Sequence, residues 1–388
     1  MSVHSLLLPL AGIVSVLIWS YLLLARGGFW RVRDKLAPHG GENRATPDVA
    51  IVIPARNEAD VIVKAIASLL NQSSIHSLQI FLVDDGSVDE TAEAAREAAH
   101  KIGKPELLTV IEGKPLPAGW SGKLWALQQG IARARELAPQ YFLLTDADIV
   151  HAPDSLSSLV RIAETGNYDL VSFMVKLHCE TFAEKLLIPA FVFFFFKLYP
   201  PKWIADPHHL TAGAAGGCIL IRPEALDRAG GIAAIRGEII DDCALARRVK
   251  QSGGRIWLGL APSTYSARTY RSFAEIGSMI SRTAFNQLRH STTILTGAVL
   301  GLVFTYVMPI VLLFSRNRFS TTLGVLACLL MSVTYLPMVR FYRLSWMWAV
   351  TLPVAALFYS GATLHSAIRY WSGSGGRWKG RVQDPVAF

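Results

Sequence analysis

Two aspartate clusters carry the clearest chemistry in this chain. Val83-Asp84-Asp85-Gly86-Ser87 and Thr145-Asp146-Ala147-Asp148 each close a strand-like apolar run. Carboxylates at strand ends lie where open parallel sheets bind ligands, in the crevice outside the carboxyl edge. Asp146 and Asp148 are two positions apart, so on extended backbone they point the same way. Two such carboxylates repel unless a cation or a proton separates them. A divalent cation held there completes its shell with phosphate oxygens. In the other cluster Gly86 permits a tight turn, Ser87 or Asp89 can cap the helix that follows, and one aspartate is left to accept from a base or a ribose. Pro54-Ala55-Arg56-Asn57-Glu58 closes another strand-like run and opens a helix, which turns it toward the same crevice. Taken singly, each cluster also reads as an ordinary strand, turn and cap.

The elements that must position these residues alternate. Residues 49–53 form a short β-branched run, and 58–70 carry apolar residues at helical spacing. Further strands are expected at 80–83, 107–112, 141–144, 169–174 and 217–221, with helices at 90–100 and 124–138. Strands and helices alternating at this spacing argue for an α/β fold, a Rossmann-type, mostly parallel sheet with helices on both faces. No Gly-x-Gly-x-x-Gly follows the first strand, which excludes a dinucleotide-dependent redox enzyme.

The flanks have a different texture. The chain is 52% hydrophobic and only 17% charged, and the charge is concentrated in the middle. Residues 5–25 are nearly unbroken apolar sequence, about 20 residues, enough to cross ~30 Å of hydrocarbon. Lacking a basic leader region and a small-residue cleavage site, they read as an uncleaved anchor. Arg26, Arg31, Arg33 and Lys35 follow and place the next domain in the cytoplasm. Three more candidate spans lie at 292–314, 321–339 and 346–367. If all three cross, Arg369, Arg377, Lys379 and Arg381 end up outside, against the positive-inside rule, unless one segment is interfacial or re-entrant. The apolar stretch 186–199, with Phe193, Phe194, Phe195 and Phe196 in a row, is short for a span and suits an interfacial helix, with a buried core helix as the alternative. The expected partition is 1–47 anchor and basic linker, 48–290 catalytic domain and 291–388 C-terminal spans and tail. This describes a multi-pass protein of the inner membrane whose catalytic domain faces the cytoplasm.

The net charge of +9 comes without aromatic–basic interleaving or zinc-finger spacing, so nucleic acid is not the expected partner. Anionic lipid headgroups and a nucleotide substrate account for it better. The four cysteines show no Cys-x-x-Cys spacing and read as reduced structural thiols.

A strand ending in Pro-x-x-Asn-Glu, a second ending in Asp-Asp-Gly-Ser and a later Asp-x-Asp resemble, in that order, the family-2 glycosyltransferases of the GT-A fold. The resemblance covers residues 48–289. Gly122-Lys123-Leu124-Trp125 looks like that family's lysine-containing helix start. Glu238-Ile239-Ile240-Asp241-Asp242 resembles its Glu-Asp motif, with Asp at 241. The Gln-x-x-Arg-Trp box of processive polysaccharide synthases survives only as Asn286-Gln287-Leu288-Arg289-His290, which weighs against a polymerase. The overall layout is most similar to bacterial hopanoid-biosynthesis-associated glycosyltransferases.

The resemblance implies a nucleotide-sugar donor, a UDP-sugar first, a lipid acceptor, and Mg²⁺ or Mn²⁺. It implies Asp148 as metal ligand, with Asp146 sharing the metal or touching ribose. Pro54, Arg56, Asn57, Glu58, Asp84 and Asp85 would line the nucleoside pocket. Lys123 and Arg289 would neutralise diphosphate. Asp242, with Asp241 beside it, would be the general base. His208 and His209, which as single histidines read more often as surface residues, precede a Gly-rich loop at 211–217 expected near the sugar, and the phenylalanine run with Trp203 reads either as ordinary core or, beside a lipid acceptor, as its guide. A processive synthase, or a catalytically silent nucleotide-sugar-binding scaffold, are the competing readings.

Overall fold

The computed structural model describes residues 3–31, 47–73, 77–373, 377–378 and 381–382. Arg33, Lys35 and Lys379 of the basic flanks lie outside these. In chain order the elements begin with α1 (Val3–Leu24), β1 (Val49–Ala55), α2 (Ala59–Leu70), β2 (Leu78–Asp84), α3 (Thr91–Ile102) and β3 (Leu108–Glu112). Next come α4 (Gly122–Ala134), β4 (Tyr141–Thr145), β5 (Ile149–Val150), α5 (Ser155–Gly166), β6 (Leu170–Lys176), α6 (Phe182–Leu198) and α7 (Pro201–Ala205). There follow β7 (Cys218–Ile221), α8 (Pro223–Arg228), α9 (Asp241–Gln251), β8 (Ile256–Ser266), α10 (Phe273–Ser281) and α11 (Ala284–Gln287). Then come α12 (Thr292–Leu302), α13 (Met308–Leu313), α14 (Arg318–Phe341) and α15 (Leu352–Trp371), followed by a short antiparallel pair, β9 (Arg377–Trp378) and β10 (Arg381–Val382). By contact these divide into two compact units. One comprises Met1–Val32, Cys179–Lys202 and Tyr270–Gly376; the other comprises Arg33–His178, Trp203–Thr269 and Arg377–Phe388. Contacts, unlike hydropathy read along the chain, group α6 with the terminal helices.

The α/β unit is built on one sheet of order β3-β2-β1-β4-β7-β6-β8-β5. β1 pairs in parallel with β2 and β4, β2 with β3, and β6 with β8; β7 runs antiparallel to both β4 and β6. Every residue of β1 is buried, as a central strand covered on both faces requires. Val49, Ile51 and Ile53 share a core with Ile62, Ile66 and Leu69 of α2, Ala95 and Ala99 of α3, and Leu156 and Leu159 of α5. On the opposite face α4 comes so close that a Cβ on Gly130 would meet Val52 Cγ1 at 2.4 Å and Val83 Cγ2 at 2.9 Å. The parallel register sets Ala55 beside Asp84 and Val52 beside Leu144. The turns that follow β1, β2 and β4 therefore open at one edge of the sheet.

β8 escapes sequence reading. Gly259 and Pro262 interrupt its alternation, and its partner β6 is irregular between Val175 and Lys176. It matters because its C-terminal end pairs with β5, Ile149 opposite Ser266. All four cysteines are unbridged.

Among the described residues of the helical unit, four helices are long and apolar enough to cross a membrane: Leu7–Leu24, Thr292–Leu313, Arg318–Phe341 and Trp346–Trp371. The second contains a π-helical turn at Val303–Val307 just before Pro309. Proline has no N–H to return to the carbonyls of Phe304 and Thr305, and an unpaired carbonyl is costly in an apolar medium. α1 supplies the donors: Ser15 Oγ reaches Phe304 O at 2.8 Å and Trp19 Nε1 reaches Thr305 O at 2.7 Å. The phenylalanine run of α6 belongs to this unit's interior. Phe193 packs on Phe29 and Tyr335, and Phe194 on Tyr306 and Tyr359. Phe193 and Phe196 are 1% and 2% exposed, while Phe194 and Phe195 are half-buried; for the two buried rings the core reading holds and the acceptor-guide reading does not.

Candidate functional site

The turn after β1 and the turn after β2 are sewn together. Asn57 takes a left-handed backbone (φ 51), which asparagine tolerates better than most residues. Its side chain accepts from Val88 N at 2.9 Å, while its own N–H donates to Ser87 Oγ at 3.0 Å. Glu58 N donates to Thr91 Oγ1 and Ala59 N to Asp89 Oδ2. Asp84 accepts from Ser87 N at 3.0 Å. Asp85 is buried, and Arg56 Nη1 donates to its carbonyl and lies 3.9 Å from its carboxylate. Pro54, Arg56, Asn57, Glu58, Asp84 and Asp85 are thus brought to one edge, with Ser87 and Thr91 serving as braces.

A second group converges from three elements. Ser121 caps α4 by accepting from Leu124 N, which sets Lys123 in the first turn. Its Nζ lies 2.9 Å from Asp146 Oδ1 and 3.2 Å from Asp241 Oδ2. Asp241 and Asp242 form the first turn of α9, where the positive end of the helix dipole favours carboxylates. Asp242 accepts from Gly216 N at 2.8 Å and Cys243 N at 2.7 Å. At Gly216 a Cβ would sit 3.3 Å from both Asp242 Oδ2 and Lys123 Nζ, so only glycine lets the backbone close on this pair without crowding. The recess they line continues into an apolar wall that includes Leu124, Leu144, Ile219, Ile232 and Leu245.

The charges shift one another. Burial opposes the charge of Lys123, but Asp146, Asp241 and Asp242 outweigh it and hold the ammonium well above the usual lysine range. Burial first, then the charge of Asp241, pushes Asp242 up to about 6, against the pull of Lys123 and the two backbone donors. If Asp242 must be ionised to act, activity is lost as pH falls through that value. kcat/KM measured between pH 4.5 and 8 is expected to rise with an apparent pKa near 6, well above that of an exposed aspartate. A profile flat down to pH 5 would contradict this.

Asp148 stands across the turn from Asp146. Its Oδ2 accepts from Ser266 Oγ at 2.8 Å and from Arg268 Nε at 3.1 Å, and Arg268 Nη2 lies 2.7 Å from both carboxylate oxygens of Glu58. Among the described residues no three His, Cys, Asp or Glu side chains are grouped to hold a metal ion. Two carboxylates with hard oxygen donors nonetheless fit a Mg²⁺-type cation whose remaining ligands come from substrate phosphate and water. The pair fits such an ion as part of a ligand complex.

Several side chains that brace these turns were not legible in advance. Ser266 and Arg268 lie at the end of the unrecognised β8. His151 is buried, its pKa pushed down to about 4 by burial. Thr145 Oγ1 donates its only proton to Gly217 O at 2.8 Å, so His151 Nε2, 2.9 Å away, must be the donor to Thr145. A neutral imidazole therefore braces the turn before Asp146. His209 has a local duty: it stacks on Trp203 at 4.4 Å, and its Nδ1 accepts from Thr211 N. Lys250 Nζ ties the same loop through the carbonyls of Trp203, Ile204 and Thr211. Arg289 belongs to the helical unit, in a left-handed turn (φ 53).

Residues 50–230 match the model for glycosyl transferase family 2. Undecaprenyl-phosphate 4-deoxy-4-formamido-L-arabinose transferase of Pseudomonas savastanoi is 30% identical over 129 residues, 32% of this chain and 34% of that protein. The probable glycosyltransferase YdaM of Bacillus subtilis is 29% identical over 184 residues, 45% of this chain and 42% of that one. The chain therefore spans well under half the length of these curated relatives. Among solved structures, the mannosyltransferase PcManGT of Pyrobaculum calidifontis, in complex with GDP-Man and Mn²⁺, matches with a TM-score of 0.50 at 18% identity. The match covers 92% of this chain and 99% of that one, a likeness of fold. Residues 50–230 are thus similar to glycosyl transferase family 2, and the sheet that carries them is GT-A-like in fold.

Proposed function

We propose that this protein is a membrane-bound, inverting glycosyltransferase that moves a sugar from a nucleotide-sugar donor to a hydroxyl of a lipid acceptor. One observation carries the reading: Lys123, Asp146, Asp241 and Asp242 converge at the carboxyl edge of the sheet in a family 2 glycosyltransferase domain. In this reading the acceptor oxygen forms a bond to the anomeric carbon as the bond to the diphosphate breaks, and Asp242 takes the hydroxyl proton. The diphosphate leaves with the electron pair, and Lys123 offsets its charge. One displacement inverts the anomeric configuration. Asp148 and Asp146 would hold a divalent cation, which supplies Lewis-acid neutralisation of the diphosphate. Asp85 accepts from the base, and Pro54, Arg56, Asn57, Glu58 and Asp84 line the nucleoside pocket.

UDP is the expected nucleotide; the Pyrobaculum structure contains GDP-Man, so GDP is its comparator. The resemblance to hopanoid-biosynthesis-associated glycosyltransferases puts a hopanoid on the acceptor panel, and the Pseudomonas relative, named for undecaprenyl phosphate, adds polyprenyl phosphate to it. Four apolar helices and the basic residues Arg26 and Arg31 after the first support an inner-membrane protein with its catalytic residues on the cytoplasmic side. The donor half is tested by equilibrium binding of radiolabelled UDP and GDP to the purified protein with Mn²⁺. Saturable binding of one of them, weakened by Lys123→Met, is expected. Absence of saturable binding for both would sink this reading.

A further inference from the structure

We propose that Arg268 is a positioning residue that keeps the Asp148 carboxylate closed to divalent cations until a diphosphate arrives to draw the guanidinium away. The inference rests on the reading that Asp146 and Asp148 take a cation together with the donor, and it goes beyond that reading by making cation entry depend on the ligand. The geometry is specific. Arg268 Nη2 sits 2.7 Å from each oxygen of Glu58, and Nε is 3.1 Å from Asp148 Oδ2. One planar fork thus bridges the helix start after β1 to the turn after β4, residues 210 and 120 positions away in sequence. Its backbone is fixed: Ala267 N donates to Asp148 O at 2.7 Å and Arg268 N to Ser266 Oγ at 3.2 Å. The side chain is less confined, 36% exposed against 13% for Asp148 and 11% for Glu58.

A dication bound at Asp148 would stand within a few ångströms of this guanidinium, and like charges at that range repel strongly in a partly buried site. A diphosphate changes the balance, because arginine forms bidentate pairs with phosphate as readily as with carboxylate. Once the guanidinium turns to the diphosphate, Asp148 is free to ligate, and cation and ligand bind with positive coupling. Asp146 is held in the same manner by Lys123 at 2.9 Å, so each carboxylate of the pair carries its own counter-charge.

The test is Mn²⁺ binding, followed by the electron paramagnetic resonance of the free ion, on the purified full chain without nucleotide and then with UDP. Wild type and Arg268→Lys, which keeps the charge, are expected to bind Mn²⁺ weakly alone and at least ~10-fold tighter with UDP, within the usual range of binding coupling. Arg268→Gln and Arg268→Met are expected to bind Mn²⁺ alone ~10-fold more tightly than wild type, with a smaller gain from UDP. A merely structural role predicts the opposite, a looser site. Two neutral variants are named so that a folding failure in one leaves the other to decide. Unchanged or weaker Mn²⁺ affinity in the folded neutral variants, with UDP-dependent binding intact in wild type, overturns the proposal alone. If wild type binds no Mn²⁺ with or without UDP, the metal reading itself fails and this proposal falls with it.

Discussion

Asp242→Asn is expected to lower turnover by at least ~10²-fold, the lower end of what loss of a general base costs, while donor affinity stays within a few-fold of wild type. The reasons are geometric. The carboxylate is at the entrance of α9 with both oxygens engaged by backbone N–H groups, from Gly216 and Cys243. It is held in one orientation, and its raised pKa makes it a better proton acceptor than an exposed aspartate. An asparagine fills the same space but cannot take a proton. Lys123 and Asp146 contact each other without it, so the diphosphate end of the site is left as it was. Separate measurements of kcat and of UDP binding decide the matter. Near-normal turnover would move the base elsewhere, with Asp241, 3.2 Å from Lys123, the first candidate.

Asp148→Asn is expected to abolish cation-dependent turnover, by roughly 10²-fold or more, since Lewis-acid stabilisation at a developing diphosphate is worth several kcal/mol. The fold should survive. Ser266 Oγ can still donate to the amide oxygen, and Arg268 keeps its fork on Glu58. An unchanged melting midpoint alongside the lost activity separates the two effects. Wild-type turnover persisting at full rate in excess EDTA would contradict the role given to Asp148.

Where one signal suffices, the sequence is legible. β1, β2 and β4 announce themselves as apolar runs ending in polar turns, and the parallel register then brings Asn57, Asp84 and Asp146 to one edge. Helix spacing places α2 and α3 within two residues of where they are found. What fails are features that depend on contacts distant along the chain. β8 is hidden because Gly259 and Pro262 break its alternation, and with it Ser266 and Arg268 are lost as partners of Asp148. His151 has no motif of its own; only the fold sets it against Thr145 and Gly217. The phenylalanine run shows the converse ambiguity. A greasy patch has the same composition whether it faces a ligand or a neighbouring helix, and here Tyr335, Tyr306 and Tyr359 cover it.

The most direct test of the whole account is transfer itself. The purified protein is incubated with Mn²⁺, each of a panel of radiolabelled nucleotide sugars, and either a membrane lipid extract or soluble sugars. The label is then partitioned between water and organic solvent. Label from one donor is expected to move into the organic phase with wild type and to stay in the water with Asp242→Asn, and soluble sugars are expected to accept poorly. Label that never enters the lipid phase with any donor, or soluble sugars accepting as well as lipid, would contradict it.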